Sequence, residues 1–274
     1  MTSPSEPTLP DDALIAEIRE AYAASVDGWT TGPEAIYRRL ANALVGLVPG
    51  ELAGARVLDL GAGTGVASRR LVEVGADPVG LDLAVEMLRH RQGSRPPGVV
   101  ADAQLLPFRT GAFDAIVAAF SLNHVPDLAL TLRGCRRVLR SDGLLLASTF
   151  PSGDDHPAKA LVEGVLRRYG YQRPAWYGTF KLRTADLTGG PDELARTARD
   201  AGFASVRVEQ VPVEIGLDDP ERAVEWRLNM PHTLAFVSEL ERETQVELRR
   251  TAVAELTGSL PSAVRMLVLH GRAP

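Results

Sequence analysis

The residues best suited to chemistry fall in one stretch, Arg56–Val66, which reads RVLDLGAGTGV. Val57, Leu58 and Leu60 make a short apolar run that stops at Gly61, Gly63 and Gly65, and a helical pattern, Ala67–Val74, follows at once. A strand, a glycine-rich turn and a helix in immediate succession are the context in which such a turn holds a ligand. Glycine lets the backbone turn sharply and lets a ligand approach where a Cβ would stand in the way. The helix start then offers free N–H groups and the positive end of its dipole to a negative group. The spacing is G-x-G-x-G, with Asp59 two residues before the first glycine. A dinucleotide site would read G-x-G-x-x-G, and a Walker loop would end in Gly-Lys-Ser/Thr.

More acids follow at the ends of apolar runs. Pro78–Leu83 reads as a buried strand that includes Asp82. A carboxylate about 20 residues past the glycines suits a bidentate grip on two ribose hydroxyls, although Asp82 could instead cap a helix over Ala84–Arg91. Gly98–Asp102 reads as a third short strand ending in an acid, followed by Ala103-Gln104-Leu105-Leu106-Pro107-Phe108. Phe113–Phe120 is a fourth strand, and it runs into Ser121-Leu122-Asn123-His124-Val125-Pro126-Asp127. His124 is the first candidate for a general base, because imidazole titrates close to neutrality. His156 and His232 are its possible substitutes. No His/Asp/Glu cluster has convincing metal-ligand spacing, so no metal is expected.

Taken together, the acid-x-G-x-G-x-G turn, Asp82 and the strand-Asp-Ala-x-x-Leu-Pro-Phe segment resemble the class I S-adenosylmethionine-dependent methyltransferases. Within that family they resemble the branch of the ubiquinone and menaquinone methyltransferases (methyltransferase type 11), with its many small-molecule enzymes of secondary metabolism. The resemblance spans roughly Val57 to Phe150. It implies a Rossmann-like α/β fold, with a seven-stranded, mostly parallel sheet in which strand seven inserts antiparallel between strands five and six. It implies that Asp59 and the backbone of Gly61, Gly63 and Gly65 hold the amino-acid end of S-adenosylmethionine. Asp82 would then take the ribose, Leu83 and Met87 would flank the adenine, Asp102 would accept from its amino group and the Ala103 N–H would meet a ring nitrogen. The segment Ser121–Asp127 would face the reacting sulfur, with Phe120 before it among the cofactor contacts. N-terminal helices would fold over the site, with Tyr22 or Trp29 touching the methionine end, or else both rings simply pack against the core.

The elements that position these residues can be read around them. The chain has 274 residues, 45% apolar and 24% charged, with a net charge of −5, which fits one large globular α/β domain or one domain plus a small cap. The acidic balance argues against a nucleic-acid partner, and no apolar run reaches the roughly 20 residues of a membrane helix. Residues 1–12 read as a polar tail, unlike a secretory signal, so a cytoplasmic location is expected. Cys135, the single cysteine, lies in a helical pattern with Leu128, Leu130, Leu132 and Leu139 and is expected to be a buried thiol. Asp11 or Asp12 could cap a helix through Leu14, Ile15, Ile18 and Tyr22. A break is expected at Asp27-Gly28 and a second helix over Pro33–Val48.

Residues 1–50 are thus read as tail and covering helices, 51–150 as the cofactor-binding half, 151–191 as a cap insertion, and 192–274 as the rest of the core with a second insertion around 217–262. That last part contains a helix over Asp192–Gly202, strand six over Ala204–Val213, a long charged helix over Glu239–Leu256 and strand seven over Ala263–His270. Ser141-Asp142-Gly143 is expected to turn into strand five, Leu144–Phe150.

The insertions carry most of the remaining rings, and Tyr171, Trp176, Tyr177 and His232 are the expected substrate contacts. An aromatic cap suits a bulky, partly apolar small molecule; alternatively the rings close the cap on itself or form a subunit interface. The expected reaction is in-line methyl transfer to oxygen or carbon, as in bacterial secondary metabolism. The alternative is a methyltransferase fold recruited for a cyclisation that the cofactor only assists. A homo-oligomer and a monomer both fit the sequence.

Overall fold

The computed structural model describes residues 11–153, 156–256, 258 and 260–274, without the side chains of residues 185 and 186. Of the tail expected over residues 1–12, residues 1–10 lie outside the described residues, and Asp11 and Asp12 open the first helix instead. Seven strands form one sheet: β1 (Arg56–Leu60), β2 (Asp77–Asp82), β3 (Gly98–Val100), β4 (Phe113–Ala119), β5 (Leu139–Thr149), β6 (Ala204–Glu214) and β7 (Ala263–Arg272). Their order is β3-β2-β1-β4-β5-β7-β6. The pairs from β3 to β5 are parallel, and β7 runs antiparallel to both of its neighbours. This is the expected sheet. Its strand order reverses between β1 and β4, and the crevice outside the strand ends at such a switch point is where open α/β sheets bind ligands.

Both faces of the sheet are covered, so the central strands are apolar on both sides. Alternate residues enter two cores, in keeping with the two-residue period of a strand. Val57, Ala115, Val117, Leu144 and Leu146 pack on one face, against α3 (Pro33–Gly46), α4 (Val66–Glu73), α7 (Pro157–Arg168), α10 (Pro220–Leu228) and α12 (Arg242–Glu255). Leu58, Leu60, Ile116, Ala118 and Leu145 pack on the other, against α6 (Leu128–Val138) and α9 (Pro191–Asp200). Cys135 lies fully inside this second core, and burial pushes its thiol up to about 12, which leaves it unreactive. A small third cluster joins Leu14 and Ile18 of α1 (Asp11–Ala24) to Trp176 and Phe180 of α8 (Ala175–Thr188). The short helices α2 (Val26–Thr31), α5 (Val85–Arg89) and α11 (Pro231–Glu239) complete the chain. No helix among the described residues is long and apolar enough to cross a membrane.

Local departures from the sequence reading have physical causes. The N-terminal break falls at Ser25, whose hydroxyl donates to the Tyr22 carbonyl at 2.9 Å. Asp27 and Gly28 therefore lie inside α2, where Asp27 sits favourably in the first turn. The helix expected to reach Val48 stops at Gly46. The charged helix expected over Glu239–Leu256 is divided, because Leu240 takes an extended ψ of 148° between α11 and α12. β5 starts early, at Leu139, and a register shift together with the positive φ of Asp142 (60°) absorbs the expected turn. β3 closes at Val100, which leaves Asp102 just beyond the strand.

Close packing of α3 on α10 makes a stability test. A Cβ at Gly32 would lie 2.6 Å from the Glu225 carbonyl oxygen, whereas one at Gly46 meets nothing within 4 Å. Gly46→Ala should stabilise the fold by about 0.4–1 kcal/mol, and Gly32→Ala should destabilise it by about 1–3 kcal/mol. Thermal melts should therefore move a few degrees in opposite directions, and shifts of the same sign would contradict this packing.

Candidate active site

After Leu60 the chain turns through Gly61, Gly63 and Gly65, at φ of 73°, 52° and 84°. Space as well as conformation requires the first of these glycines: a Cβ on Gly61 would lie 2.4 Å from that of Ser121. Ser121 in turn donates from its hydroxyl to the Leu60 carbonyl at 2.6 Å, joining the loop to the end of β4. The other anchor is β2. The N–H groups of Gly61 and Ala62 both donate to the Leu81 carbonyl, at 2.8 and 2.9 Å. The Gly63 N–H donates to Asp82 Oδ2 at 2.8 Å, and the Ala84 N–H donates to Asp82 Oδ1 at 2.9 Å. Asp82 thus ties the loop down and also holds the entry to α5.

The loop floors a cavity of about 150 Å³ that opens to solvent. Gly61, Ala62, Gly63 and Thr64 line it, with Asp82, Leu83 and Met87 on one side and Asp102 and Ala103 beside them. Asp102 accepts from the Gln104 backbone N–H (2.9 Å) and side-chain amide (3.0 Å), and Gln104 Oε1 accepts from the Asp127 N–H that leads into α6. The Thr64 hydroxyl oxygen is buried in this wall with no hydrogen-bond partner among the described residues. An orphaned hydroxyl, carboxylates at two strand ends and apolar Leu83 and Met87 form a donor set suited to an adenosyl group with a polar amino-acid end. Burial raises the carboxyl pKa of Asp82, while the N–H groups of Ala84 and Gly63 act in the opposite direction.

Two residues of the glycine motif stand behind this wall. Asp59 is buried, accepts from the Ser68 hydroxyl at 2.5 Å and does not line the cavity. Burial pushes its carboxyl up to about 6 against the opposing pull of that hydrogen bond. Gly65 likewise lies outside the lining, as the residue that starts α4.

The opposite side of the cavity is aromatic. Tyr22 and Trp29 line it from the N-terminal helices, and Phe120 and His124 line it from the segment after β4. Phe120 adopts a positive φ of 57°, held by its N–H on the Ser148 carbonyl at 3.1 Å and by ring contacts to Phe150 and Tyr37. A bulky residue in that region costs of order 1–3 kcal/mol. Here it turns the chain so that Phe120 and His124 meet the same space. The Tyr22 hydroxyl lies 3.2 Å from His124 Nδ1. Burial, aided by the charge of Lys181, pushes His124 down to about 3, and burial raises the Tyr22 phenol well above its ordinary value. Both are neutral near pH 7.

Tyr171, Trp176, Tyr177 and His232 do not line the cavity. Tyr171 donates to the His232 carbonyl at 3.0 Å, and Trp176 packs on Leu14 and Ile18. His232 stacks on Tyr177 with centroids 3.8 Å apart and meets Arg227 Nη2 at 3.1 Å. Phe180 joins this stack to His124. His156 caps α7 and bonds the Pro261 carbonyl, away from the site. The cavity also takes residues that the sequence reading did not assign to the site: Ile15, Ile18 and Arg19 of α1, Tyr37 and Met230. The stripe Ile15, Ile18, Tyr22 was visible as one helix face; Tyr37 and Met230 come together only through the fold. Among the described residues no group of three or more His, Cys, Asp or Glu side chains could hold a metal ion.

The comparisons with known proteins agree with this geometry. Residues 58–147 match the family model described as a methyltransferase domain. A demethylmenaquinone methyltransferase from Renibacterium salmoninarum is 31% identical over 208 residues, 72% of this chain and 86% of that protein. Two solved structures share the fold. One is the complex between the Haloferax volcanii Trm112 methyltransferase activator and a methyltransferase, with 22% identity, a TM-score of 0.56, and coverage of 97% of this chain and 100% of that one. The other is the Haemonchus contortus phosphoethanolamine N-methyltransferase 2 with phosphomonomethylethanolamine and S-adenosylhomocysteine, with 19% identity, a TM-score of 0.54, and coverage of 85% and 52%. The chain belongs to the class I S-adenosylmethionine-dependent methyltransferases and, with S-adenosylmethionine as its cofactor, methylates a small molecule.

Proposed function

We propose that the methyl acceptor is a bulky, partly aromatic small molecule of bacterial secondary metabolism, methylated on oxygen or carbon. The observation that carries this reading is the wall of Trp29, Tyr37, Phe120 and Met230, which shares one cavity with the glycine loop. Trp29 packs on Tyr37, and Tyr37 on Phe120, with centroids 4.8 and 5.6 Å apart. Such a surface suits a flat apolar ring system. A relative named for demethylmenaquinone, a quinone, supports an aromatic acceptor. The cap comprises residues 151–191 and about 217–262. Its α8 backs His124 through Phe180, and Met230 reaches the cavity.

S-adenosylmethionine supplies an electrophilic methyl carbon and a sulfide leaving group when bound. In this reading Asp82 holds the ribose, Leu83 and Met87 flank the adenine, Asp102 and Ala103 bond its edge, and the loop backbone from Gly61 to Thr64 holds the amino-acid end. Asp59 and Gly65 support the loop from behind. The aromatic wall orients the acceptor and excludes water, so that its nucleophilic atom stays in line at about 3–3.5 Å. A hydroxyl acceptor must also lose a proton. Tyr22 stays protonated and donates to His124 Nδ1 in the tautomer that carries its proton on Nε2. An acceptor O–H at the Tyr22 oxygen would pass its proton there as the phenolic proton moves to Nδ1. An imidazolium then forms as the sulfonium charge disappears, which offsets the low basicity of a buried histidine. A carbon nucleophile would need the pair only for orientation.

S-adenosylhomocysteine at about 100 times its Kd should stabilise the wild type by roughly 2.7 kcal/mol, a rise of about 5–10 °C. Asp82→Ala should lose most of that rise, and a full shift in the variant would remove Asp82 from the cofactor site. With methyl-labelled cofactor and a panel of quinols and phenols, the label should appear in an aromatic product. Tyr22→Phe and His124→Asn should each slow transfer to a hydroxyl acceptor by about 10²–10⁴-fold while leaving S-adenosylhomocysteine affinity nearly unchanged. Undiminished rates would refute the proton role, and an unlabelled ring-closed product would favour the cyclisation alternative.

A further inference from the structure

Between α5 and β3 lies Arg95, a side chain to which the methyl-transfer reading assigns nothing. Its Nη1 donates to the Gly63 carbonyl at 2.9 Å and to the carbonyls of Met87 and Leu88 at 3.1 and 3.3 Å. Gly63 belongs to the loop and Met87 to α5, and both line the cavity. One guanidinium therefore joins two walls of the cofactor site from behind.

The packing is fitted to this cation. A Cβ on Gly65 would lie 3.4 Å from Arg95 Cζ, and one on Gly80 of β2 would lie 3.4 Å from Nη2. The third glycine of the loop, which does not line the cavity, thus lies directly against the guanidinium. Asp59 on β1, Asp82 at the end of β2 and Arg69 on α4 are the charged groups that face Arg95. Arg69 is itself paired with Glu34, as is Arg91. Among the described residues, Nε and Nη2 of Arg95 are buried without hydrogen-bond partners. An apolar side chain of equal length would fill the same space without stranding those donors, so filling space alone does not account for an arginine.

We propose that Arg95 is a positioning residue for the cofactor, locking the glycine loop and α5 into one frame beside the carboxylates of Asp59 and Asp82. Arg95 acts through Gly63, Met87 and Asp82.

The test is calorimetric titration of the intact protein with S-adenosylhomocysteine across about pH 5.5 to 8, for the wild type, Arg95→Met and Arg95→Lys. Arg95→Met loses donors and charge at nearly constant bulk. Its affinity should fall about tenfold or more near pH 7. Binding that needs an ionised carboxylate is lost as pH falls through that group's pKa, and removing a nearby cation raises that pKa. The acid limb of binding should therefore move to higher pH in Arg95→Met. Arg95→Lys keeps the charge but not the fork, so its limb should stay at the wild-type pH while the affinity falls. A purely structural role would lower the melting temperature without moving the limb. An Arg95→Met protein with wild-type affinity and an unmoved limb overturns the proposal. Should that variant not fold, wild-type affinity in Arg95→Lys overturns it equally.

Discussion

The carboxylate of Asp82 accepts one hydrogen bond from the Gly63 N–H and another from the Ala84 N–H, and the site depends on that pair. A loop that must offer its backbone to a ligand cannot spend it on regular secondary structure. It has to be fixed by a few bonds at its edges. The Leu81 carbonyl holds the start of the turn, Asp82 holds its middle and Ser121 ties the preceding residue to β4. Because β1, β2 and β4 are neighbours at the switch point of the sheet, these bonds bring three strand ends to one place.

The cavity divides by polarity along that line. Asp82 and Asp102 bring carboxylates to its lining, and Trp29, Tyr37, Phe120 and Met230 bring aromatic and apolar surface. Tyr22 and His124, hydrogen-bonded to one another and both kept neutral by burial, complete the aromatic side. Neutrality there has a physical use: a dry pocket that is to hold a sulfonium does not also need a resident imidazolium. The φ of Phe120 shows where the fold accepts strain to place a ring at the cavity.

What could be read from the sequence was what is local. A strand, a glycine turn and a helix occupy consecutive residues, Asp82 closes β2 and Asp102 follows β3, so Gly61, Gly63, Asp82, Leu83, Met87, Asp102 and Ala103 can be read as one set from spacing and resemblance, and all line the cavity. Tyr37, Met230 and Arg95 were not legible, because each acts through partners far away in the chain. The rings of residues 169–180 misdirect for a related reason. Composition makes a cap look like a binding surface, yet Tyr171 and Trp176 are more than nine-tenths buried against other protein groups. Gly28 has the propensity of a helix break, but Ser25 ends α1 one turn earlier.

A crystal structure with S-adenosylhomocysteine bound tests the central claim most directly, namely that one cavity unites the cofactor loop, the Tyr22–His124 pair and the aromatic wall. The account predicts the ribose on Asp82, the adenine between Leu83, Met87 and Ala103, and the sulfur facing the open space beside Tyr22, His124 and Phe120. A nucleophile could then sit there at about 3–3.5 Å from a transferable methyl group. A ligand bound with its sulfur turned away from that space, or seated outside the glycine loop, would contradict it.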